Sequence, residues 1–148
     1  MQKKHKPAIL FIFLAFCWVQ AHAHHLAVVV HQQNPAENVT SSELAKIFKT
    51  ETKKWPDGHD VVVVVNRNSP AAMQIVERLS GMPAAKEKAF LAGHKNSFIL
   101  AESDDEVLDL VAKEPGALGM VDVHGIDSRI KVLKVDGKLP LEKAYLPH

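Results

Sequence analysis

Arg67, Asn68 and Ser69 stand between a run of five valines, Val61–Val65, and a segment that opens at Pro70. A guanidinium can grip an oxyanion through two parallel N–H donors, and serine adds a hydroxyl. If a helix begins at Ser69–Pro70, its first backbone amides are unpaired and its dipole is positive there, so anions settle readily at that point. Serine at the cap with proline in the first turn is also an ordinary way to start a helix. The run therefore fits two descriptions, an anion seat and a well-capped helix start.

Other residues could do chemistry, with less support from their surroundings. "AHAHHLAVVVH" gathers His22, His24, His25 and His31, and a free amine at His24 beside its imidazole would chelate copper, nickel or zinc. No second cluster with metal-ligand spacing follows, because His59, His94, His124 and His148 are scattered; no metal and no other cofactor is expected. Asp122 and His124, two apart on an expected strand, would point to one face as an acid–base pair. There is no nucleophile elbow, Gly-rich phosphate loop or second carboxylate pair to join them, so an enzyme is not expected. Asn38-Val39-Thr40 matches a glycosylation acceptor, although Thr40 is also placed to cap a helix.

The elements that must position these residues follow from periodicity and punctuation. "LAVVVH" (26–31) reads as a buried strand, and "QQNPAEN" as a loop. Thr40 and Glu43 have capping-box spacing ahead of Leu44, Ile47 and Phe48, which share one helical face. Pro56-Asp57-Gly58 turns the chain into the valine strand. Behind Ser69, Ala72, Val76 and Leu79 mark the core side of a helix that Gly81 ends in the left-handed conformation. Pro83 opens another helix, expected to end at Gly93 in the same way. Ser103 and Glu106 repeat the capping-box spacing before Val107, Leu110 and Val111, and Asp104, Asp105 and Glu106 suit the positive end of the helix dipole. "ALGMVDV" and "IKVLKV" read as two strands around "HGIDSR". Alternation of this kind predicts an α/β fold, a mostly parallel sheet flanked by helices.

"MQKKHKPAILFIFLAFCWVQAHA" has Lys3, Lys4 and Lys6, then an apolar run from Ala8 to Val19, then Ala21-His22-Ala23. This is the layout of a cleaved secretory signal over residues 1–23. The run is short for a membrane span, which takes about 20 apolar residues. Bulky Phe16 before Cys17 does not suit lipidation. Removal of 23 of the 148 residues leaves 125, with 15 basic residues against 17 acidic ones, and without Cys17, the only cysteine. The expectation is one exported domain over 24–148, held by packing without disulfides. It carries no concentrated positive charge of the kind a nucleic-acid surface needs.

Three segments in order resemble one stretch of the phosphate-binding proteins of bacterial ABC uptake systems: "SSELAKIFKTETKKWPDG", "VVVVVNRNSPAAM" and "EVLDLVAKEPGALGMVDV". In that family a helix of the form L-x-x-I-F-x-G-x-x-x-x-W-x-D precedes a strand ending in arginine, a Gly-Ser-Gly-Thr helix start, and later P-G-A-I-G-Y-V. Leu44, Ile47, Phe48, Trp55, Asp57, Arg67, Ser69, Pro115, Gly116, Ala117 and Gly119 stand at matching positions, within a match running from Leu26 to Val123.

The resemblance implies one lobe of a type II periplasmic-binding-protein-like fold, in the periplasm, with inorganic phosphate or a similar oxyanion as ligand. Carried over by position, the ligand set is Arg67, Asn68, Ser69 and the backbone amides of Ala71 and Ala72. Two departures stand out. Pro70 and Ala71 replace the family's glycine and threonine, removing an N–H and a hydroxyl. A two-lobed binding protein also needs about 250 residues, so the other half of the cleft is missing. Weak anion binding is expected. The alternative is a lobe that has lost its ligand and docks on an ABC permease or envelope protein, or pairs with itself as a homodimer.

Overall fold

The computed structural model describes residues 25–147; the expected signal over 1–23, His24 and His148 lie outside them. The elements run β1 (Leu26–His31), β2 (Asn38–Val39), α1 (Ser41–Phe48), β3 (Val62–Asn66), α2 (Pro70–Ser80), α3 (Ala84–Gly93), β4 (Phe98–Ala101), α4 (Asp104–Lys113), β5 (Ala117–Asp122), a 3₁₀ turn (Val123–Gly125), β6 (Ile130–Val132) and β7 (Lys134–Val135).

A five-stranded sheet has the order β4-β3-β5-β1-β6. β3 runs parallel to both β4 and β5, while β1 lies antiparallel to β5 on one side and β6 on the other. Four strands thus share one direction and β1 runs against them. This is the mostly parallel α/β architecture the alternation of elements predicts. A separate pair joins β2 to β7.

Side chains alternate across the sheet as strand geometry requires. Val28, Val30, Val63, Val65, Leu118 and Met120 face α1 and α2, whereas Ala27, Val29, Val64, Ala117 and Val121 face α4. The middle strands are apolar on both faces because helices cover both. α4 lies close on β5: a Cβ built on Gly119 would sit 2.6 Å from Val107 Cγ1 and 3.0 Å from Val111 Cγ2. Phe98 of β4 meets the rings of Phe48 and Phe90 edge-on, tying α1 and α3 to the sheet margin.

Local chemistry sets the helix ends. Thr40 and Glu43 form the reciprocal capping box, and their hydrogen bonds hold the Glu43 carboxyl below its ordinary range. Gly81 ends α2 with φ 68°. The structure also corrects several local expectations. Gly93 is the last residue of α3 and is not left-handed; His94 caps the helix, its Nδ1 2.7 Å from Phe90 O. Ser103 accepts from Glu106 N, but the Glu106 carboxylate takes Glu102 N, so the second box is not reciprocal. Leu108, not Leu110, joins Val107 and Val111 in the buried set of α4. "IKVLKV" divides at Leu133 into β6 and β7, which belong to different sheets. β4 is a strand the sequence did not announce, as is β2, which begins at the last residue of the expected loop.

Candidate functional site

Ser69 caps α2 as its position suggests: its Oγ accepts from Ala72 N at 3.2 Å, and Met73 N reaches Ser69 O at 3.0 Å. Pro70 occupies the first turn and has no N–H. The Ala71 amide is therefore the first-turn donor left for a bound group, and Ala72 is buried with its amide on the serine. The start of α2 lies at the carboxyl end of β3, beside the carboxyl end of its parallel neighbour β4. Ligands favour this edge of an α/β sheet. A hollow of about 260 Å³ is lined there by Asn66, Asn68, Ser69, Pro70, Ala71 and Asp104.

The backbone before the helix is shaped by its own polar side chains. Asn66, buried at the end of β3, accepts from Asn68 N through Oδ1 at 2.9 Å, and its carbonyl accepts from Ser69 N at 3.1 Å. Asn68 Nδ2 donates to the Glu102 carbonyl at 2.8 Å and to Glu102 Oε2 at 3.1 Å. Arg67 donates from its backbone N to Ala101 O at 3.0 Å, and its guanidinium pairs with Glu102. Both members of that pair are about half exposed, so its attraction is screened by water and weak.

Of the five expected ligand residues, Asn68, Ser69 and Ala71 line the hollow, whereas Arg67 and Ala72 do not, and acids stand among them. Glu102 offsets Arg67, and Asp104 lines the hollow. Asp104 accepts from Asn66 Nδ2 and from Asp122 N, each at 2.8 Å, joining the ends of β3 and β5 through the first residue of α4. Sequence reasoning placed Asp104 only as a companion of a helix dipole and did not mark Glu102. The missing signal was β4: without that strand, nothing brought residues 102–104 beside Arg67.

The other candidates fall elsewhere. Asp122 ends β5, but His124 lies in the 3₁₀ turn and not on the strand. Asp122 Oδ1 accepts from His124 N at 2.9 Å and contacts His124 Nδ1 at 2.8 Å, so the pair forms through the turn. Among the described residues, no group of three His, Cys, Asp or Glu side chains is arranged to hold a metal ion. Nor is any described helix long and apolar enough to cross a membrane. Trp55, at a matching position of the resemblance, is buried away from the hollow and donates its indole N–H to Gly116 O at 2.9 Å.

Known proteins agree with this architecture. Residues 19–145 match the PBP superfamily domain. The fold is similar to that of an ABC-type phosphate transport receptor from Vibrio cholerae, with 22% identity and a TM-score of 0.63 over 78% of this chain and 48% of the other. It is similar to PstS from Borrelia burgdorferi, with 16% identity and a TM-score of 0.62 over 78% and 49%. A phosphate binding protein from Stenotrophomonas maltophilia gives 17% identity and a TM-score of 0.58 over 79% and 40%. The chain spans about half the length of these structures or less. With most of its length matched by the family's domain and its fold shared with these proteins, the chain belongs to the PBP superfamily.

Proposed function

We propose that the chain is an exported oxyanion-binding lobe, related to the substrate-binding proteins of ABC phosphate transporters, and that it takes phosphate or a similar anion weakly at the start of α2. The observation that carries this reading is the start of α2 at the carboxyl edge of β3, where Ser69 and Ala71 line the hollow and Arg67 stands two residues upstream. Three kinds of donor remain for a ligand. Ser69 uses its Oγ as acceptor and keeps its O–H; Ala71 keeps its N–H; Arg67 has five N–H groups, of which the pair with Glu102 engages one nitrogen. Glu102 and Asp104 repel an anion at the same place. The balance supports weak, salt-sensitive binding, because exposed charge contacts contribute only about 1 kcal/mol each. Calorimetry with phosphate, sulfate and acetate on residues 24–148 tests it: heat is expected at millimolar phosphate and a smaller signal for Arg67→Ala. Absence of heat, or equal binding by the variant, rejects the reading.

Export belongs to the same proposal. The basic start, apolar run and Ala21-His22-Ala23 support cleavage after Ala23 and delivery to the periplasm as a domain over 24–148. Amino-terminal sequencing of the exported protein checks this, with His24 expected first.

A second reading has its own support. Pro70 and Ala71 remove two donors that the resemblance places here, Ser69 occupies the Ala72 amide, and Glu102 offsets Arg67. These features suit a lobe that no longer takes an anion and instead docks on a permease or envelope protein. Capture of a transporter component by this domain, undiminished in Arg67→Ala, would favour it.

A further inference from the structure

β4 is an edge strand whose only ladder partner among the described residues is β3. Val63 N donates to Ser97 O at 2.7 Å and Arg67 N to Ala101 O at 3.0 Å. In such a parallel ladder the odd-numbered residues of β4 bond to β3, and Leu100 turns its N–H and C=O outward. Natural edges are usually blunted by a charge, a proline or a bulge, yet "FILA" has neither charge nor proline, and Leu100 is 41% exposed. The charges flanking the strand are segregated. Before it stands Lys95, exposed and without an ion pair among the described residues; after it come Glu102, Asp104, Asp105 and Glu106, of which Glu102 pairs with Arg67 and Asp105 with Arg129.

We infer that the occupant of this edge is a second copy of the chain, paired antiparallel through β4 about a two-fold axis at Leu100. In that register Leu100 meets Leu100 of the other copy and exchanges two N–H···O bonds with it. The basic approach to β4 then runs toward the acidic start of α4 in the other copy, and symmetry repeats this contact. Parallel pairing would set lysine on lysine and acid on acid, so charge selects the antiparallel arrangement. The ladder is short because Glu102 N is already held by Glu106 Oε2 at 2.7 Å, and the dimer is correspondingly weak. This inference does not depend on anion binding.

Sedimentation equilibrium on residues 24–148, which contain every described element, tests it over a concentration series. The expected result is a reversible dimer weakened by salt. Leu100→Lys should abolish the dimer with an unchanged circular dichroism spectrum. Lys95→Glu should raise the dimer Kd by about tenfold, since two exposed pairs become repulsive together. Leu100→Cys adds a sole thiol, because Cys17 is outside this segment. Hydrogen-bonded antiparallel partners have Cα atoms about 5.5 Å apart, within the range a disulfide spans, so oxidation should give a cross-linked dimer. That variant decides the matter should Leu100→Lys fail to fold. A monomer at every concentration, a dimer indifferent to Leu100→Lys or Lys95→Glu, or no cross-link through Leu100→Cys overturns the inference.

Discussion

Trp55 and Gly116 are 61 residues apart in sequence and joined by a 2.9 Å hydrogen bond from the indole Nε1 to the glycine carbonyl. The same carbonyl accepts from Val62 N at 3.0 Å, so one oxygen ties the loop after α1, the entry to β3 and the entry to β5 together. Gly116 cannot carry a side chain here, because a Cβ would lie 1.8 Å from Asp60 O. This lock sits at the amino end of β3, opposite the strand end that presents Arg67 and Ser69. It holds β3 in register with its neighbour.

Gly116→Ala should therefore destabilise the fold by about 3 kcal/mol, the upper range for forced overpacking, since backbone is the obstacle. Trp55→Phe removes one of two donors to the carbonyl and should cost about 1 kcal/mol. Urea unfolding of both variants gives the comparison, with the glycine change the larger.

Tyr145 anchors the C-terminal segment from inside. Its hydroxyl donates to Leu133 O at 2.7 Å and accepts from Val28 N at 3.0 Å, and both partners are buried. Tyr145→Phe leaves those groups unpaired and should cost about 2 kcal/mol. Burial pushes the phenol up from 10.0 to about 12. Between those values the unfolded chain loses its proton first, so stability falls as pH rises through this window. Unfolding midpoints measured up to pH 11 should show that slope in the wild type and a weaker one in Tyr145→Phe.

Glu87 is a buried acid on α3 whose Oε1 has no hydrogen-bond partner. Burial, with a smaller contribution from Glu77, raises its carboxyl above the ordinary 4.5. The folded state then holds the proton more tightly than the unfolded state. Its stability is fullest below the unfolded value and declines as pH rises through the folded one. Glu87→Gln should remove that decline and be the more stable protein at pH 7. Thermal midpoints at pH 4 and pH 7 provide the test.

How much of this was legible in the sequence differs between elements. α1 was, because Thr40 and Glu43 mark its start and Leu44, Ile47 and Phe48 its buried face within nine residues. α2 and β3 were legible for the same local reason: a cap, a stripe and an unbroken run of valines. β4 was not. Four residues carry too little periodicity to separate strand from loop, and "FILA" becomes a strand only because Val63–Asn66 lies beside it. The reversed direction of β1 is likewise a matter of partners. The site divided along this line: Arg67 and Ser69 belong to a local pattern, whereas Glu102 and Asp104 reach it across the unannounced strand. His124 was misplaced because Asp122 caps a 3₁₀ turn where alternation continued the strand.

Glu102 provides a test of the site's charge balance. Glu102→Gln removes a negative charge from the rim and leaves Arg67 without its acidic partner. Phosphate affinity should rise roughly fivefold, equivalent to about 1 kcal/mol, and the gain should shrink as salt is added. Calorimetry on the two proteins at low and high salt measures both effects.

The proposed seat for negative charge at the start of α2 is tested most directly by following the backbone amide of Ala71 in nitrogen–proton correlation spectra while phosphate is added to residues 24–148. A saturable shift at Ala71, with Ser69 and the Arg67 side chain moving on the same curve and Arg67→Ala flattening it, is the predicted result. An Ala71 resonance that stays in place at saturating phosphate, or moves identically in Arg67→Ala, would contradict it.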